Sequence, residues 1–470
     1  MRSLSPKPVV TSWDVFDTLL ARFDPDPHHF LRMIESGQNV TGFVRRRLDA
    51  QAALDRLGRP YVLHDIYRRM AADGVPGREA RMLLRAELSA ERNQLLPIRR
   101  NLERVDPTDL IITDMYLSPE MISSLLFEIG NLHTHRPPIR SNWGKHSGTI
   151  WPIVLASYVV RRHIGNDPHA DLAVPSGFNI ACELVLDSQF TPWEKQLQDL
   201  GLGQLAQIQR EVRLRSTPPD ARPFHVAVTG PYLSILAGFS MHLVQRFGTE
   251  VEFAFLSRSA DELCRVFSSM YPDIPARGLD ISRRLAGDEE MARLFSDSIT
   301  PSTVVVDMIG TGRSFFRFAE SNGSPGRGLI LFAYLDLLLG QAERKRAAGR
   351  HAEGRLSAVS TINGGNFYAF EHLLQSPYPP VAGARLDRAS GGVVRTFGAP
   401  ELDRTEAALV AWKSATVSEF VAVARRRGLP AVSPQALATV LEKALATIMA
   451  DAAITEPFTS FVAREHMDYA

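Results

Sequence analysis

The sequence predicts an α/β protein with two parallel sheets, one in each half of the chain. Short apolar segments alternate with longer segments whose apolar residues recur at helical spacing, and this alternation occurs twice. The length agrees, because 470 residues exceed the needs of one domain of ~150 residues. A polar stretch containing RSTPPDARP separates the halves, and we predict a linker over 203–224.

The first half, 1–202, is predicted to form a sheet interrupted by a long helical region. The apolar segment PVVTSWDVFDTLL, over 8–20, reads as a buried strand, and residues 21–106 after it carry apolar side chains at helical spacing. The later predicted elements are a strand at 109–113, a helix from Pro119, a strand at 137–141, a helix at 148–162 and a strand-to-loop junction at 163–177. Such alternation favours a parallel sheet whose strand ends carry the function.

The second half repeats the pattern over 225–400, and the segment 401–470 is predicted to be helical. The stretch 355–400 is rich in Gly and Pro and is expected to be mostly loop. The predicted elements are a helix at 231–247, a strand at 251–257, a helix at 260–271, a strand at 303–309, a helix at 313–321 and a strand at 328–338.

Composition excludes several classes of protein. Lys and Arg number 53 against 52 Asp and Glu, a net charge of +1, which argues against a nucleic-acid binder. Two cysteines exclude a disulfide scaffold and a four-Cys zinc site. The first ten residues lack the apolar core of a signal peptide, and no apolar run is long enough for a bilayer. We therefore expect a cytoplasmic protein without a membrane partner.

The first candidate site follows the first strand, where Asp14 and Asp17 stand close together in D-V-F-D-T. One carboxylate of such a pair can attack phosphorus, while the other protonates the leaving oxygen and later deprotonates water. An anionic cluster of this kind needs a divalent cation, and oxygen-only ligands favour Mg²⁺. By itself, the segment is equally compatible with a strand-end turn whose carboxylates are solvated.

Together with three later segments, D-V-F-D-T resembles the motifs of the haloacid dehalogenase superfamily, which occur here in the family's order. The resemblance implies a phosphatase with Asp14 as nucleophile and Asp17 as general acid/base. It implies that Thr113, in L-I-I-T-D-M-Y-L, hydrogen-bonds the phosphoryl group. It also implies that Lys145, in S-N-W-G-K-H-S-G, offsets charge in the site.

The fourth segment, H-I-G-N-D-P-H-A-D, resembles the family's metal-binding motif but departs from it. Asn166 stands where the family has Asp after the Gly, Asp167 follows, and Asp171 matches the second acid, so the metal-ligand candidates are these three and Asp14. Either the loop rotates to place Asp167 as ligand, or Asn166 coordinates through its amide oxygen, which should weaken Mg²⁺ binding. A degenerate, non-catalytic domain is a third alternative.

Residues 21–106 resemble the superfamily's helical caps, which exclude water and select the leaving group. The cap's size favours a small phosphorylated metabolite, such as a sugar phosphate or a nucleotide. The arginine runs 45–47 and 68–69 either contact that leaving group or form solvated helix faces.

More closely, D-V-F-D-T-L-L with T-D-M-Y-L-S resembles a bacterial subgroup with a long carboxyl-terminal domain. Its members often occur beside genes for surface-polysaccharide synthesis and glycosyltransferases, which implies partners in polysaccharide biosynthesis. The resemblance extends to about residue 385.

The second candidate site is V-V-V-D-M-I-G-T-G-R-S, 304–314, a strand leading through a Gly-rich loop into a helix. Backbone N–H groups in such a loop can form an anion nest. The segment is similar to the loop that binds phosphoribosyl pyrophosphate in phosphoribosyltransferases, although its acidic pair is reduced and it is one residue short. The candidate ligand-binding residues are Gly310, Thr311, Gly312, Arg313 and Ser314. A tight strand-to-helix turn is the alternative.

Arg258, Arg283 and Arg284 also follow apolar segments of the second half. They either line the same anionic pocket or form salt bridges with neighbouring acids at 261, 280 and 289. A second hypothesis for the whole chain follows. In it, the second domain binds or transfers a phosphoribosyl-like or nucleotide-sugar ligand, and the first domain is accessory.

Overall fold

The chain divides into two compact units, Met1–Thr191 with Arg213–Thr217, and Pro192–Val212 with Pro218–Ala470. The boundary thus falls ahead of the predicted linker. The computed structural model describes residues 6–26, 28–140, 144–217, 219, 221–279, 299–322, 326–379, 381–386, 393–399 and 402–458.

The first unit is built around a parallel sheet, as predicted. Its described strands are β1 (Val9–Trp13), β2 (Leu20–Arg22), β3 (Leu95–Pro97), β4 (Leu110–Thr113), β5 (Ile139–Arg140), β6 (Val159–Gly165) and β7 (Ala181–Leu184). The sheet has the order β5-β4-β1-β6-β7, with every pair parallel. The order reverses between β1 and β6, and ligands in open α/β sheets bind at such a point.

The sheet is buried on both faces, which is why its strands read as continuous apolar runs. Along β4, Leu110 and Ile112 pack with Trp151 on one face, whereas Ile111 packs with Trp13 on the other. This alternation follows from the two-residue period of a strand. The sheet therefore holds its strand ends rigidly at one edge.

The long helical region is inserted between β2 and β3, which form a separate antiparallel ribbon with Arg22 opposite Leu95. Its helices are His29–Gly37, Phe43–Asp55, Leu63–Ala72 and Gly77–Gln94. Their apolar faces pack into one cluster with residues of β1 and β4. The remaining helices of this unit are Arg99–Leu102, Pro119–Gly130, Ile150–Ser157, the π-helical Pro168–Ala173 and Val174–Ser176.

The predicted helix at 148–162 is wrong in its second half. The helix ends at Ser157, Tyr158 takes extended dihedrals, and β6 follows. The β-branched Val159 and Val160 suit a strand paired on both sides. Helical periodicity continued across this boundary because the apolar run is unbroken, and only pairing with β1 separates the two elements.

The predicted linker at 203–224 is largely helical. Gly203–Arg215 forms a helix, and Arg222–Ala227 starts the next one. Leu205, Ile208 and Val212 are buried and lie at helical spacing. The polar residues between these positions concealed the buried stripe in the sequence.

The second unit contains another five-stranded parallel sheet, in the order β12-β11-β10-β8-β9. Its described strands are β8 (Glu252–Leu256), β9 (Ala276–Leu279), β10 (Thr303–Gly310), β11 (Gly328–Leu335), β12 (Leu356–Ile362) and the antiparallel pair β13 (Val381–Leu386) and β14 (Val393–Phe397). Here the order reverses between β8 and β10. The expectation that 355–400 is mostly loop is wrong, because this stretch contributes the edge strand β12 and the ribbon of β13 and β14.

The described residues after Thr191 also form helices. They are Pro192–Asp199, Gly203–Arg215, Arg222–Ala227, the π-helical Val228–Tyr232, Leu233–Phe247, Asp261–Met270, Arg313–Asn322, Gln341–Ala352, Phe367–Leu373, Arg404–Arg427 and Pro434–Ala450, with short 3₁₀ turns at Asp336–Leu338, Ala452–Ile454 and Glu456–Phe458. The helices after 401 agree with the predicted helical end.

Among the described residues, two helical stretches are long and apolar enough to cross a membrane, Arg222–Phe247 and Arg404–Arg427. In the first, 89% of the apolar window is buried inside the protein, and Phe239 packs on Phe332 of β11 with ring centroids 5.5 Å apart. That stretch behaves as a core helix. In the second, 44% of the window is buried.

Candidate active site

Asp14 lies where the first sheet reverses its order. It follows β1 directly, and its backbone N–H donates to the Ile164 carbonyl of β6 at 2.9 Å. Its side chain is buried. Burial raises the pKa of Asp14 to about 7, against the opposing charge of Lys145 and with a further rise from Asp171. The carboxyl group is thus held in a dry position at the end of the central strand.

Lys145 joins two carboxylates that are 157 residues apart along the chain, Asp14 and Asp171. Its Nζ donates to Asp14 Oδ1 at 2.6 Å and forms an ion pair with Asp171 Oδ1. Burial lowers the pKa of Lys145, but the two carboxylates outweigh it and raise that pKa. One buried cation therefore compensates two buried anions.

Asp171 holds this arrangement together through both of its oxygens. Oδ2 accepts from the backbone N–H groups of Asn166 at 3.1 Å and Asp167 at 2.9 Å, and Oδ1 faces Lys145 and His163. Burial raises its pKa, but the His163 hydrogen bond and the Lys145 charge outweigh burial and lower it. Because both oxygens are engaged with donors, Asp171 anchors the loop and Lys145.

His163 is a site residue that the sequence reasoning missed. It lies fully buried in β6, with Nε2 2.9 Å from Asp171 Oδ1 and Nδ1 2.8 Å from Ser12 Oγ. Burial lowers its pKa, so the ring is neutral at pH 7, which suits a donor Nε2 and an acceptor Nδ1. A histidine inside an otherwise apolar strand, two residues before the Gly of the fourth motif, was the available signal.

Asn166, not Asp167, is the residue of the altered motif that lies beside Asp14. Thr18 Oγ1 donates to Asp14 Oδ2 at 3.1 Å and lies 3.3 Å from Asn166 Oδ1. Asp167 is exposed, and its Oδ1 accepts from the N–H groups of His169 and Ala170, each at 2.7 Å. The structure therefore does not bring Asp167 into the site, because its carboxylate caps the helical turn that follows.

At Gly165, the last residue of β6, there is no room for a side chain. A Cβ atom at this position would lie 2.2 Å from Asp171 Cγ and 2.4 Å from its Oδ2. Real Cβ atoms do not approach other atoms so closely, and Asp171 is held on all sides. The glycine thus permits the contact between β6 and the anchoring carboxylate.

Thr113 lies at the end of β4, and Asp17 lies in the turn after β1. Thr113 is buried at the end of β4, and its Oγ1 accepts from the Met115 N–H at 3.2 Å. Asp17 is half-buried with a φ of 62°, and its N–H donates to the Leu20 carbonyl at 2.6 Å. The sharp turn at Asp17 carries the chain from β1 into β2.

The oxygens around Asp14 form a small donor set for a divalent cation. Among the described residues, no group of three or more His, Cys, Asp or Glu side chains is arranged to hold a metal ion. Asp14 and Asn166 offer one carboxylate and one amide oxygen. Mg²⁺ commonly binds through one or two carboxylates together with substrate phosphates and water. The residues therefore fit Mg²⁺, with Asn166 contributing no charge.

Of the arginines in the runs 45–47 and 68–69, two are not part of a solvated face: Arg46 is half-buried and pairs with Glu79 of another helix, and the second is Arg47. Arg47 is buried and makes a bidentate pair with Glu87. Arg45 and Arg68 instead form exposed ion pairs with acidic residues of their own helices. Arg69 pairs in the same way with Asp73, the residue that ends its helix. Their exposure and local pairing agree with solvated helix faces.

The second candidate site lies at the order reversal of the second sheet, between β8 and β10. Asp307 is half-buried, and its Oδ1 accepts from Ser259 Oγ and from the Met308 N–H. Gly310 and Gly312 have φ values of 155° and 70°, and the Arg313 N–H donates to Thr311 Oγ1 at 3.3 Å. Both glycines of the loop thus adopt backbone conformations that favour glycine.

The structure describes only some of the arginines expected near this loop. Arg313 is exposed at the start of its helix, and Ser314 is half-buried there. Arg283 and Arg284 lie outside the described residues, as do the acids at 280 and 289. Asp261 accepts from Ser376 Oγ at 2.9 Å.

No protein-family model matches this chain, and no curated protein matches it either.

Proposed function

We propose that the first unit is a Mg²⁺-dependent phosphohydrolase of the haloacid dehalogenase type, acting on a small phosphorylated metabolite. The observation that carries the proposal is the buried Asp14–Lys145–Asp171 arrangement at the reversal point of a parallel sheet. A buried carboxylate beside a fixed cation, at the edge where such sheets bind ligands, suits an attack on phosphorus.

In the first step, an Asp14 oxygen forms a bond to phosphorus while the bond from phosphorus to the ester oxygen breaks. Asp17 gives its proton to the leaving alkoxide, so the alcohol departs neutral. In the second step, Asp17 takes a proton from water, the water oxygen bonds to phosphorus and the bond from phosphorus to the Asp14 oxygen breaks. Inorganic phosphate departs and the Asp14 carboxylate is restored. Each proton and each electron pair is accounted for by these two aspartates.

The other residues hold charge and position. Lys145 keeps Asp14 oriented and offsets charge on the phosphoryl oxygens, and the Thr113 hydroxyl lies at the adjacent strand end. Asp14 and Asn166 would hold Mg²⁺, which supplies electrostatic stabilisation of the phosphoryl group when bound. Thr18, which donates to Asp14 Oδ2, is the hydroxyl in direct contact with the proposed nucleophile.

Release of inorganic phosphate from p-nitrophenyl phosphate and from a panel of sugar phosphates and nucleotides tests this proposal. We expect Mg²⁺-dependent release that Asp14→Asn reduces by more than ~10³-fold. Asp167→Asn is the matched control, since its carboxylate lies outside the site, and it should retain full activity. Unchanged release in Asp14→Asn would refute the mechanism.

We propose, as a second candidate function, that the second unit binds a phosphoribosyl or nucleotide-sugar ligand at the loop 310–314. The observation that favours it is the reversal of strand order between β8 and β10, which brings Ser259, Asp307 and the Gly-rich loop to one edge. Titration calorimetry of the full chain with phosphoribosyl pyrophosphate and with nucleotide sugars tests it. Heat that Arg313→Ala abolishes supports the site, and no heat, or identical heat in the variant, contradicts it.

A further inference from the structure

Two buried glutamates lie one turn apart on the helix Gly77–Gln94, and their surroundings differ. Glu87 and Glu91 are 0% and 1% exposed. A buried carboxylate costs several kcal/mol unless it is paired and hydrogen-bonded, so the partners of each oxygen are informative.

Glu87 is fully paired. Arg47 donates from Nη2 to Oε1 at 2.8 Å and from Nε to Oε2 at 2.9 Å. Tyr67 donates its hydroxyl to Oε2 at 2.5 Å, and Tyr116 donates to Oε1 at 3.3 Å. Both oxygens are engaged, so Glu87 is a structural residue that joins the helical insert to the loop after β4.

Glu91 is only half paired. Its Oε1 accepts from Arg22 Nη2 at 2.7 Å. Its Oε2 is buried, and among the described residues no donor lies within hydrogen-bond distance of it. Leaving a buried acceptor without a hydrogen bond costs ~1–3 kcal/mol, and more when the group is charged. The contrast with Glu87 indicates that Oε2 is kept for a donor that the described residues do not supply.

Arg22, the partner of Glu91 Oε1, lies near the turn that carries Asp17. Its guanidinium lies 5.3 Å from the ring centroid of Phe16, the residue before Asp17. Burial lowers the pKa of Arg22, whereas Glu91 and, more weakly, Tyr116 and Asp17 raise it. Asp17, the proposed proton donor to the leaving group, is therefore within electrostatic reach of the Arg22–Glu91 pair.

On the basis of the proposed phosphohydrolase activity, we propose that Glu91 and Arg22 bind the alcohol part of the substrate, and that this part carries a free hydroxyl group. The hydroxyl donates its hydrogen to Glu91 Oε2, and its oxygen accepts from the Arg22 guanidinium. This pair of contacts selects a polyhydroxylated phosphate monoester, such as a sugar phosphate, over an ester of an apolar alcohol.

Two esters of similar size test the inference: a hexose 6-phosphate and cyclohexylmethyl phosphate, whose ring carries no hydroxyl. Sites built to bond a hydroxyl discriminate strongly against analogues that lack it, so we expect a preference of at least ~100-fold in kcat/KM. Glu91→Gln, which retains size but loses the carboxylate, should reduce this preference at least ~10-fold. The loss should come from the KM of the hexose ester, with the apolar ester unchanged within about twofold.

Three further variants control the result. Arg22→Lys retains the cation but loses the forked guanidinium, and should reduce the same preference. Glu128→Gln, at an exposed glutamate, should leave it unchanged, and Glu87→Gln should lower the unfolding temperature without altering the preference. Equal loss for both esters in Glu91→Gln, or an intact preference as expected for a buried water on Oε2, would overturn the inference.

Calorimetric binding of both esters to Asp14→Asn protein separates this inference from the proposed function. If the wild type releases no phosphate but the nucleophile-free protein binds the hexose ester better, and Glu91→Gln removes that difference, the phosphohydrolase proposal fails while the binding inference stands. If turnover is Asp14-dependent without discrimination, only the binding inference fails.

Discussion

Both sheets of this protein carry polar groups at the point where the strand order reverses, but these groups are buried in the first sheet and partly exposed in the second. At the reversal point of the first sheet, Asp14, Lys145 and Asp171 are buried together and pair completely. At the reversal point of the second sheet, Asp307 is half-buried and bonds to Ser259 beside a Gly-rich loop. Charges removed from water must be paired within the fold, whereas partly exposed groups can be screened by solvent.

This difference in burial indicates that folding fixes the first site, whereas the groups of the second site remain exposed to a ligand. In the first sheet the partners of each charge, down to His163 and Ser12, are fixed by packing. In the second, backbone N–H groups and an exposed Arg313 lie at a strand edge. We expect substitutions at the first site to alter both stability and activity, and substitutions at the second to alter ligand binding with little effect on stability.

The largest expected effect is that of Lys145→Met. Removing the cation leaves two buried carboxylates without compensation, so the free energy of unfolding should fall by ~3–5 kcal/mol. Phosphate release should fall by more than ~10³-fold, because Asp14 becomes harder to ionise. Urea denaturation and a phosphate assay measure the two effects.

Two further variants are compared with Lys145→Met for their loss of stability. Lys195→Met, at an exposed lysine, should change stability by less than ~0.5 kcal/mol. Asp307→Asn should cost only ~1 kcal/mol, because the amide oxygen still accepts from Ser259 and Met308 and only the charge of these partly exposed hydrogen bonds is lost. A loss at Asp307 as large as that at Lys145 would remove the distinction between the two sites.

Gly165→Ala should cost ~1–3 kcal/mol of stability, since the new Cβ would overlap Asp171 and force the anchoring carboxylate to move. Chemical denaturation of the variant measures it. Gly37→Ala is the matched control in the same unit, because no atom lies within 4 Å of its added Cβ. There we expect a small gain, ~0.5 kcal/mol, because alanine has the higher helix propensity. A loss at Gly37 equal to that at Gly165 would contradict the steric argument.

Asn166→Asp should strengthen Mg²⁺ binding by ~10-fold, since it adds a negative charge beside Asp14. The concentration of Mg²⁺ that gives half-maximal phosphate release measures this change. Asp167→Asn removes a charge one residue away without touching the site and should leave that concentration unchanged. The reverse pattern would show that the loop rotates to use Asp167.

The smallest expected effect is a pH dependence due to His163. Burial holds its pKa in the folded protein below the ordinary value of 6.5, so the unfolded chain takes up a proton first as the pH falls. The contribution of neutral His163 is therefore fully present above pH ~6.5 and declines as the pH falls towards the folded-state pKa. Urea denaturation from pH 7.5 to pH 5 measures the difference in unfolding free energy between the wild type and His163→Gln. This difference should shrink by at most ~1.4 kcal/mol per pH unit. A difference that grows towards low pH would contradict a neutral buried histidine.

Much of the fold was predictable from local patterns. The strands containing Val10, Ile111 and Val305 are apolar runs that are buried on both faces, and the helices carry periodic apolar stripes. The helix-to-strand boundary near Tyr158 and the buried helix Gly203–Arg215 were not, because each depends on pairing or packing with distant segments.

By itself, the sequence determined the α/β class and the two-unit organisation, since these follow from apolar periodicity and length. It named Asp14 and Lys145 as candidates through a resemblance to known motifs, and the Gly-rich loop through its composition. Only the tertiary structure decided that Asn166 rather than Asp167 lies beside Asp14, that His163 supports Asp171, and that Glu91 is buried with one oxygen unpaired. Periodicity is a local property of the chain, whereas the pairing of a buried charge depends on groups brought together from distant segments.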